Sequence, residues 1–178
     1  MSAFKIVVTG PFNSGKTEFI KTISDIPVVS TEKRITTEDR GIKAETTVAM
    51  DYGRVNLDGS TLYLYGTPGQ TRFDFMWEIL SGEMDAFIVL VDSTDAPSFP
   101  EVAQLVSQFL GFVSVPYLIV ANKTDLEGAA RLPEVRRGTG AGADVIVMPC
   151  VATQKSSVRQ VLLQVLELLK KSYPAGQE

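Results

Sequence analysis

The 178-residue chain has no histidine, one cysteine and one tryptophan. Without histidine there is no imidazole base and no imidazole metal ligand. The single thiol, Cys150, excludes an intrachain disulfide and any multi-cysteine zinc site. It fits a reducing compartment, and a small buried residue at a strand end is its expected role. No apolar run reaches the roughly 18 residues of a spanning helix. The start, MSAFKIVVTG, shows no signal-peptide pattern. Ser2 stands where myristoylation needs glycine, and SYPAGQE at the end carries no prenylation cysteine. A cytoplasmic protein with no direct lipid anchor is expected. Basic charge is scarce too: the net charge of −4 argues against a nucleic-acid partner.

Apolar residues make up 44% and charged residues 21%, an ordinary globular balance that suits one domain over residues 1–178. Short β-branched runs alternate with amphipathic stretches, the pattern of an α/β fold. FKIVVT (4–9), AFIVLVD (86–92) and YLIVAN (117–122) read as buried strands. Residues 144–148 read as a last short strand. TVAMDYGRVN and STLYLYG flank Asp58-Gly59, a strong signal for an antiparallel hairpin. Helices are expected at about 16–24, 72–80 and 99–109. The closing helix buries Val158, Val161, Leu162, Val165, Leu168 and Leu169. Residues 25–45 are polar without a clear period and read as a long surface loop. Residues 138–142 read as a small Gly-rich loop.

Gly10-Pro-Phe-Asn-Ser-Gly15-Lys16-Thr17 matches the phosphate-loop pattern in full, between a buried strand and a helix. Such a loop turns successive N–H groups, here through Asn13, Ser14 and Gly15, toward a phosphate. The helix N-terminus adds its positive end. Lys16 reaches the β- and γ-phosphates, and the Thr17 hydroxyl can ligate Mg²⁺. The loop alone does not name the nucleotide, since kinases and ATPases carry it as well. Asn122-Lys123-Thr124-Asp125 follows the strand YLIVAN. A carboxylate there accepts from guanine N1–H and the exocyclic amine, and adenine would leave it unpaired. Lys123 can lay its stem along the base, and Asn122 can tie this loop to the phosphate loop.

With these motifs in this order, the chain resembles the Ras-like small GTPases from residue 4 to about 173. The stretches TTVAMDYGRV, TPGQ and MPCVA make it most similar to bacterial members, the gliding-motility cell-polarity (MglA-type) and conservon GTPases. The resemblance implies a P-loop NTPase three-layer sandwich with a six-stranded, mostly parallel sheet. Its order would be 2-3-1-4-5-6 with strand 2 antiparallel. It implies a switch that binds GTP and GDP and hydrolyses GTP slowly with Mg²⁺. The last base contact falls on Val151 and Ala152, with the Ala152 N–H meeting guanine O6. A threonine that senses the γ-phosphate and holds the metal is Thr46 or, preferably, Thr47, nineteen residues before Gly66. Gln70 corresponds to the water-positioning glutamine, and Gly69 offers an N–H to the γ-phosphate. Protein regulators and effectors, roadblock-domain proteins among them, are implied. Phe73, Phe75, Met76 and Trp77 form an expected contact surface.

Two departures stand out. Gly66 occupies the place where such proteins usually hold Mg²⁺ through an aspartate. Either Asp51 or Asp92 could replace it, or the chain is a GTP-binding scaffold with negligible turnover. Phe12 is bulky where an activator's arginine would enter, and Arg34 and Arg40 are candidates for an internal finger. An ATP-dependent small-molecule kinase would keep only the phosphate loop and leave residues 122–125 unexplained.

Overall fold

The computed structural model describes residues 2–39, 42–67 and 83–174, and for residues 30–49 the course and pairing of the backbone. The elements are β1 (Ser2–Thr9), α1 (Lys16–Ile23), β2 (Val29–Asp39), β3 (Ile42–Leu57), β4 (Ser60–Gly66) and β5 (Ala86–Asp92). They continue as α2 (Phe99–Leu110), β6 (Tyr117–Asn122), α3 (Leu132–Thr139), β7 (Val147–Pro149) and α4 (Lys155–Ser172).

The sheet runs β2-β3-β4-β1-β5-β6-β7. β1, β4, β5, β6 and β7 are mutually parallel, and β3 is antiparallel to β4. The six expected strands therefore lie in the expected order. All seven residues of β5 are buried, as a central parallel strand covered on both faces requires. On one face, α1 and α4 pack Phe19, Ile20, Val158, Val161 and Leu162 against Ile6, Leu64 and Ile88. On the other, Phe99, Val102, Phe109 and Val135 of α2 and α3 meet Phe87, Val89 and Ile119. The result is a three-layer sandwich.

The β3–β4 turn forms as expected. Asp58 and Gly59 both have positive φ, 50° and 77°, the left-handed pair of a type I′ turn. The expected loop over 25–45 does not form: β2 pairs antiparallel with β3 from Val29↔Tyr52 to Asp39↔Ile42, adding a seventh, edge strand. Its run VSTEKRITTED is β-branched and charged. Such composition supports an edge strand while leaving little apolar period. The expected helix at 72–80, the residues Gly69 and Gln70, and the aromatics from Phe73 to Trp77 lie outside the described residues.

α3 (Leu132–Thr139) is a second element, after β2, that the sequence reading does not contain. α3 starts with a proline in its first turn, carries Arg136 and Arg137 in its last turn, and stops at Gly140 with φ 71°. These are ordinary start and stop signals. Arg136 donates to the carbonyls of Gly142 (2.7 Å) and Val145 (2.8 Å), which holds the Gly-rich segment after it. In α4, Leu166 is buried in place of Leu168, which packs at the margin.

Candidate functional site

The phosphate loop joins β1 to α1. Asn13 and Gly15 take positive φ, 65° and 101°. At Gly15 a Cβ would lie 2.3 Å from Asn122 Nδ2, so only glycine lets the two loops close on each other. Lys16 Nζ donates to the carbonyls of Gly10 (2.7 Å) and Pro11 (3.0 Å), folded over the loop. Ser14 Oγ is buried with no partner among the described residues. A buried hydroxyl in that condition marks a place for a polar ligand atom. Asn13, Ser14, Gly15, Lys16 and Thr17 line a pocket of about 450 Å³ that also touches Asp51 and Gly66. Phe12 stands at its mouth, 80% exposed.

Burial lowers the Lys16 pKa from 10.5 to about 8, against weaker raising effects of Glu101 and Asp51. A bound polyphosphate would raise it again. Nucleotide binding is therefore expected to take up a proton above pH 8, and affinity falls as pH rises through 8 by at most about tenfold per unit. Calorimetry at pH 9 in buffers of different ionisation heat checks this, and equal heats would refute it. For folding the sign is opposite: between about 8 and 10.5 the folded chain holds fewer protons, so this group's contribution to stability increases with pH.

A carboxylate of the neighbouring strand lies beside Gly66. Asp51 of β3 is the register partner of Gly66 in β4. A Cβ on Gly66 would lie 3.3 Å from Asp51 Cβ and 3.7 Å from its Oδ2. That Oδ2 accepts the Thr17 hydroxyl at 2.5 Å. Of the two carboxylates weighed from sequence, Asp51 faces the phosphate loop threonine, and Asp92 is engaged elsewhere. Thr47 lies four residues before Asp51 in β3, opposite Arg34, and Thr46 lies opposite Ile35.

The loop expected to read the base follows β6. Asn122 Nδ2 donates to Ser14 O (2.9 Å), and its Oδ1 accepts the Ala152 N–H (3.0 Å). Lys123 Nζ donates to Asn13 O (2.9 Å) and pairs with Asp92 (2.8 Å). Asn122 and Lys123 thus tie this loop to the phosphate loop, where the sequence reading expected the tie from Asn122 alone. Gly15, Asn122, Lys123, Asp125, Val151 and Ala152 line one pocket of about 210 Å³, with Asp125 exposed in its wall. The Ala152 N–H expected at guanine O6 is turned toward Asn122, and Val151 N–H is held by Ser157 Oγ (2.8 Å). Ser93, absent from the sequence reading, donates both its N–H and its hydroxyl to the Asn122 carbonyl and supports the loop from below. Cys150 is buried, and burial pushes its thiol pKa up, consistent with a packing role.

A family model described as a conserved hypothetical ATP binding protein matches residues 8–162. The chain belongs to this family. It is 34% identical over 123 residues to an uncharacterized protein of Methanocaldococcus jannaschii, covering 68% of this chain and 71% of that protein. Human ADP-ribosylation factor-related protein 1 is 26% identical over 137 residues, covering 74% of this chain. The matched part spans 64% of that relative's length. In fold, the chain is similar to the Arl6 BBS3 small GTPase of Trypanosoma brucei, solved with a bound nucleotide analogue, GppNp. The TM-score is 0.70 at 19% identity, covering 96% of this chain and 99% of that one. The fold is therefore that of a Ras-like small GTPase of Arl type, and the chain is a small-GTPase-like nucleotide-binding protein. The likeness to the bacterial cell-polarity branch rests on its sequence motifs alone.

Proposed function

We propose that the chain is a guanine-nucleotide switch that hydrolyses GTP to GDP and phosphate with Mg²⁺. The observation that carries this reading is the Asn122–Ser14 bond, with Lys123 on Asn13 beside it. These contacts make the phosphate pocket and the base pocket two halves of one site, with Asp125 at the base end. The family description names ATP, and the carboxylate favours guanine. Its two acceptor oxygens match the N1–H and C2 amine of guanine, and adenine offers neither.

The donor set suits Mg²⁺. Thr17 and Asp51 present a hydroxyl and a carboxylate oxygen together, hard ligands of the kind Mg²⁺ takes alongside phosphates and water. When bound, the ion neutralises charge that develops on the transferred phosphoryl group. Thr17 would hold it directly, Asp51 would hold it directly or through water, and Thr47 (or Thr46) would complete it from β3. Lys16 and the loop N–H groups bind the phosphates. Gln70, with Gly69 before it, positions the attacking water by donating and accepting at once. Turnover by the isolated chain is slow. Phe12 obstructs an arginine entering from outside, and protein regulators and effectors act in the cytoplasm through the segment after Gly69.

Single-turnover hydrolysis of bound GTP, with Mg²⁺ and with EDTA, tests the reading. Slow, Mg²⁺-dependent phosphate release that disappears in Gln70→Leu is expected. Tight GTP binding with no release over hours, with or without Mg²⁺, would favour a GTP-binding scaffold instead.

A further inference from the structure

We propose that Asp92 is a positioning residue for the nucleotide base: it pins the Lys123 ammonium so that the lysine stem becomes a fixed wall of the base pocket. This rests on the nucleotide-site reading above. Asp92 ends β5 with its side chain only 11% exposed. Its two oxygens are divided between two tasks. Oδ1 accepts the Thr94 N–H (2.9 Å) and hydroxyl (2.7 Å), which fixes the carboxylate in a tight turn. Oδ2 takes Lys123 Nζ at 2.8 Å. Burial pushes this carboxyl's pKa up, but the Lys123 and Thr94 bonds outweigh it and hold it below the ordinary value.

Lys123 therefore has both ends defined. Its backbone is held in the left-handed region at φ 62°. Its ammonium sits between Asp92 and the Asn13 carbonyl of the phosphate loop. Lys123 lines the base pocket with Gly15 and Ala152. A lysine stem is rotamer-rich, and ordering it at the moment of binding opposes association. Asp92 orders it beforehand. An apolar wall serves the face of any purine, so Asp92 governs how long a nucleotide stays. Asp125 governs which one is chosen.

The test is a double-mutant cycle on release of mant-GDP and mant-ADP in Mg²⁺, followed by stopped flow. Asp92→Asn keeps an oxygen for the Thr94 donors and puts an NH₂ where Lys123 met the second oxygen, so the pin loses both its charge and its acceptor. Release about tenfold faster is expected from it. Lys123→Met keeps a stem and removes the ammonium. It should release at least as fast, and the double variant no faster than Lys123→Met alone. The preference between the two nucleotides should not change. Inorganic tripolyphosphate, which has no base, should bind Asp92→Asn as it binds the wild type. A general loss of structure would weaken that ligand too.

Wild-type release from Asp92→Asn, rate increases that multiply in the double variant, or lost tripolyphosphate binding would each overturn the proposal. If Asp92→Asn does not fold, Lys123→Met decides alone: fast release supports the pin and wild-type release refutes it. If the wild type holds mant-ADP and not mant-GDP, the guanine reading fails, and the same cycle on mant-ADP still decides the role of Asp92.

Discussion

Asp125→Asn is expected to collapse a preference for GDP over ADP of about 10⁴–10⁵ to near unity, because the discrimination lies in paired hydrogen bonds. Asp125 lies in the wall of the base pocket beside Lys123 and Ala152. Ionised, it only accepts, and it offers two oxygens to the two adjacent donors of guanine. Asparagine keeps one acceptor and adds two donors, so its NH₂ meets the guanine amine donor to donor. Xanthine carries a carbonyl where guanine carries that amine. The variant should therefore gain affinity for xanthosine diphosphate as it loses affinity for GDP. Competition of GDP, ADP and xanthosine diphosphate against a fluorescent nucleotide measures all three. An unchanged GDP preference would mean that another group reads the base. A wild type that prefers ADP would favour the ATP named in the family description over the guanine reading.

Much of this site was legible in the sequence because its parts are local. The phosphate loop is eight consecutive residues, and its glycines are required by contacts that the motif already encodes. The Asp58-Gly59 turn is local too, and it predicted the antiparallel pair. What the sequence did not show depends on pairing between strands. Asp51 and Gly66 are fifteen residues apart in the chain and become register partners only when β3 and β4 pair. Asp51 and Asp92 are equally good candidates on paper. The structure separates them by giving one to Thr17 and the other to Lys123. β2 was missed for a different reason. An edge strand need not show a continuous apolar face, so Val29–Asp39 looked like a loop by period. Its β-branched content was the available signal. α3 is short and polar, with a proline at its start and a glycine at its end as its sequence signals.

Moving the carboxylate from Asp51 to residue 66 tests whether Asp51 does the missing aspartate's work. Asp51→Asn is expected to speed nucleotide release in Mg²⁺ by about 10–100-fold, the usual cost of losing a residue that orients a metal site. Release in EDTA should change little, so the gap between the two conditions narrows. Asp51→Gly should do the same. Adding Gly66→Asp to Asp51→Gly should then restore most of the Mg²⁺ dependence. The geometry permits this exchange. The Asp51 Cβ at 3.3 Å disappears with the Asp51 side chain. The remaining close contact, 2.9 Å to Ile20 Cδ1, is the far end of a flexible side chain. Glycine in a strand costs about 0.5–1 kcal/mol relative to alanine, so the thermal melt of Asp51→Gly should fall, and Gly66→Asp, which removes the other strand glycine, should offset part of that loss; the Mg²⁺ gap is read separately from either melt. If Asp51→Asn keeps the wild-type gap, Thr17 and the phosphates hold the ion without help from this strand. The Thr17–Asp51 contact would then have no part in holding the metal. If the relocated aspartate restores the gap, the two strands supply one carboxylate between them, and either can carry it.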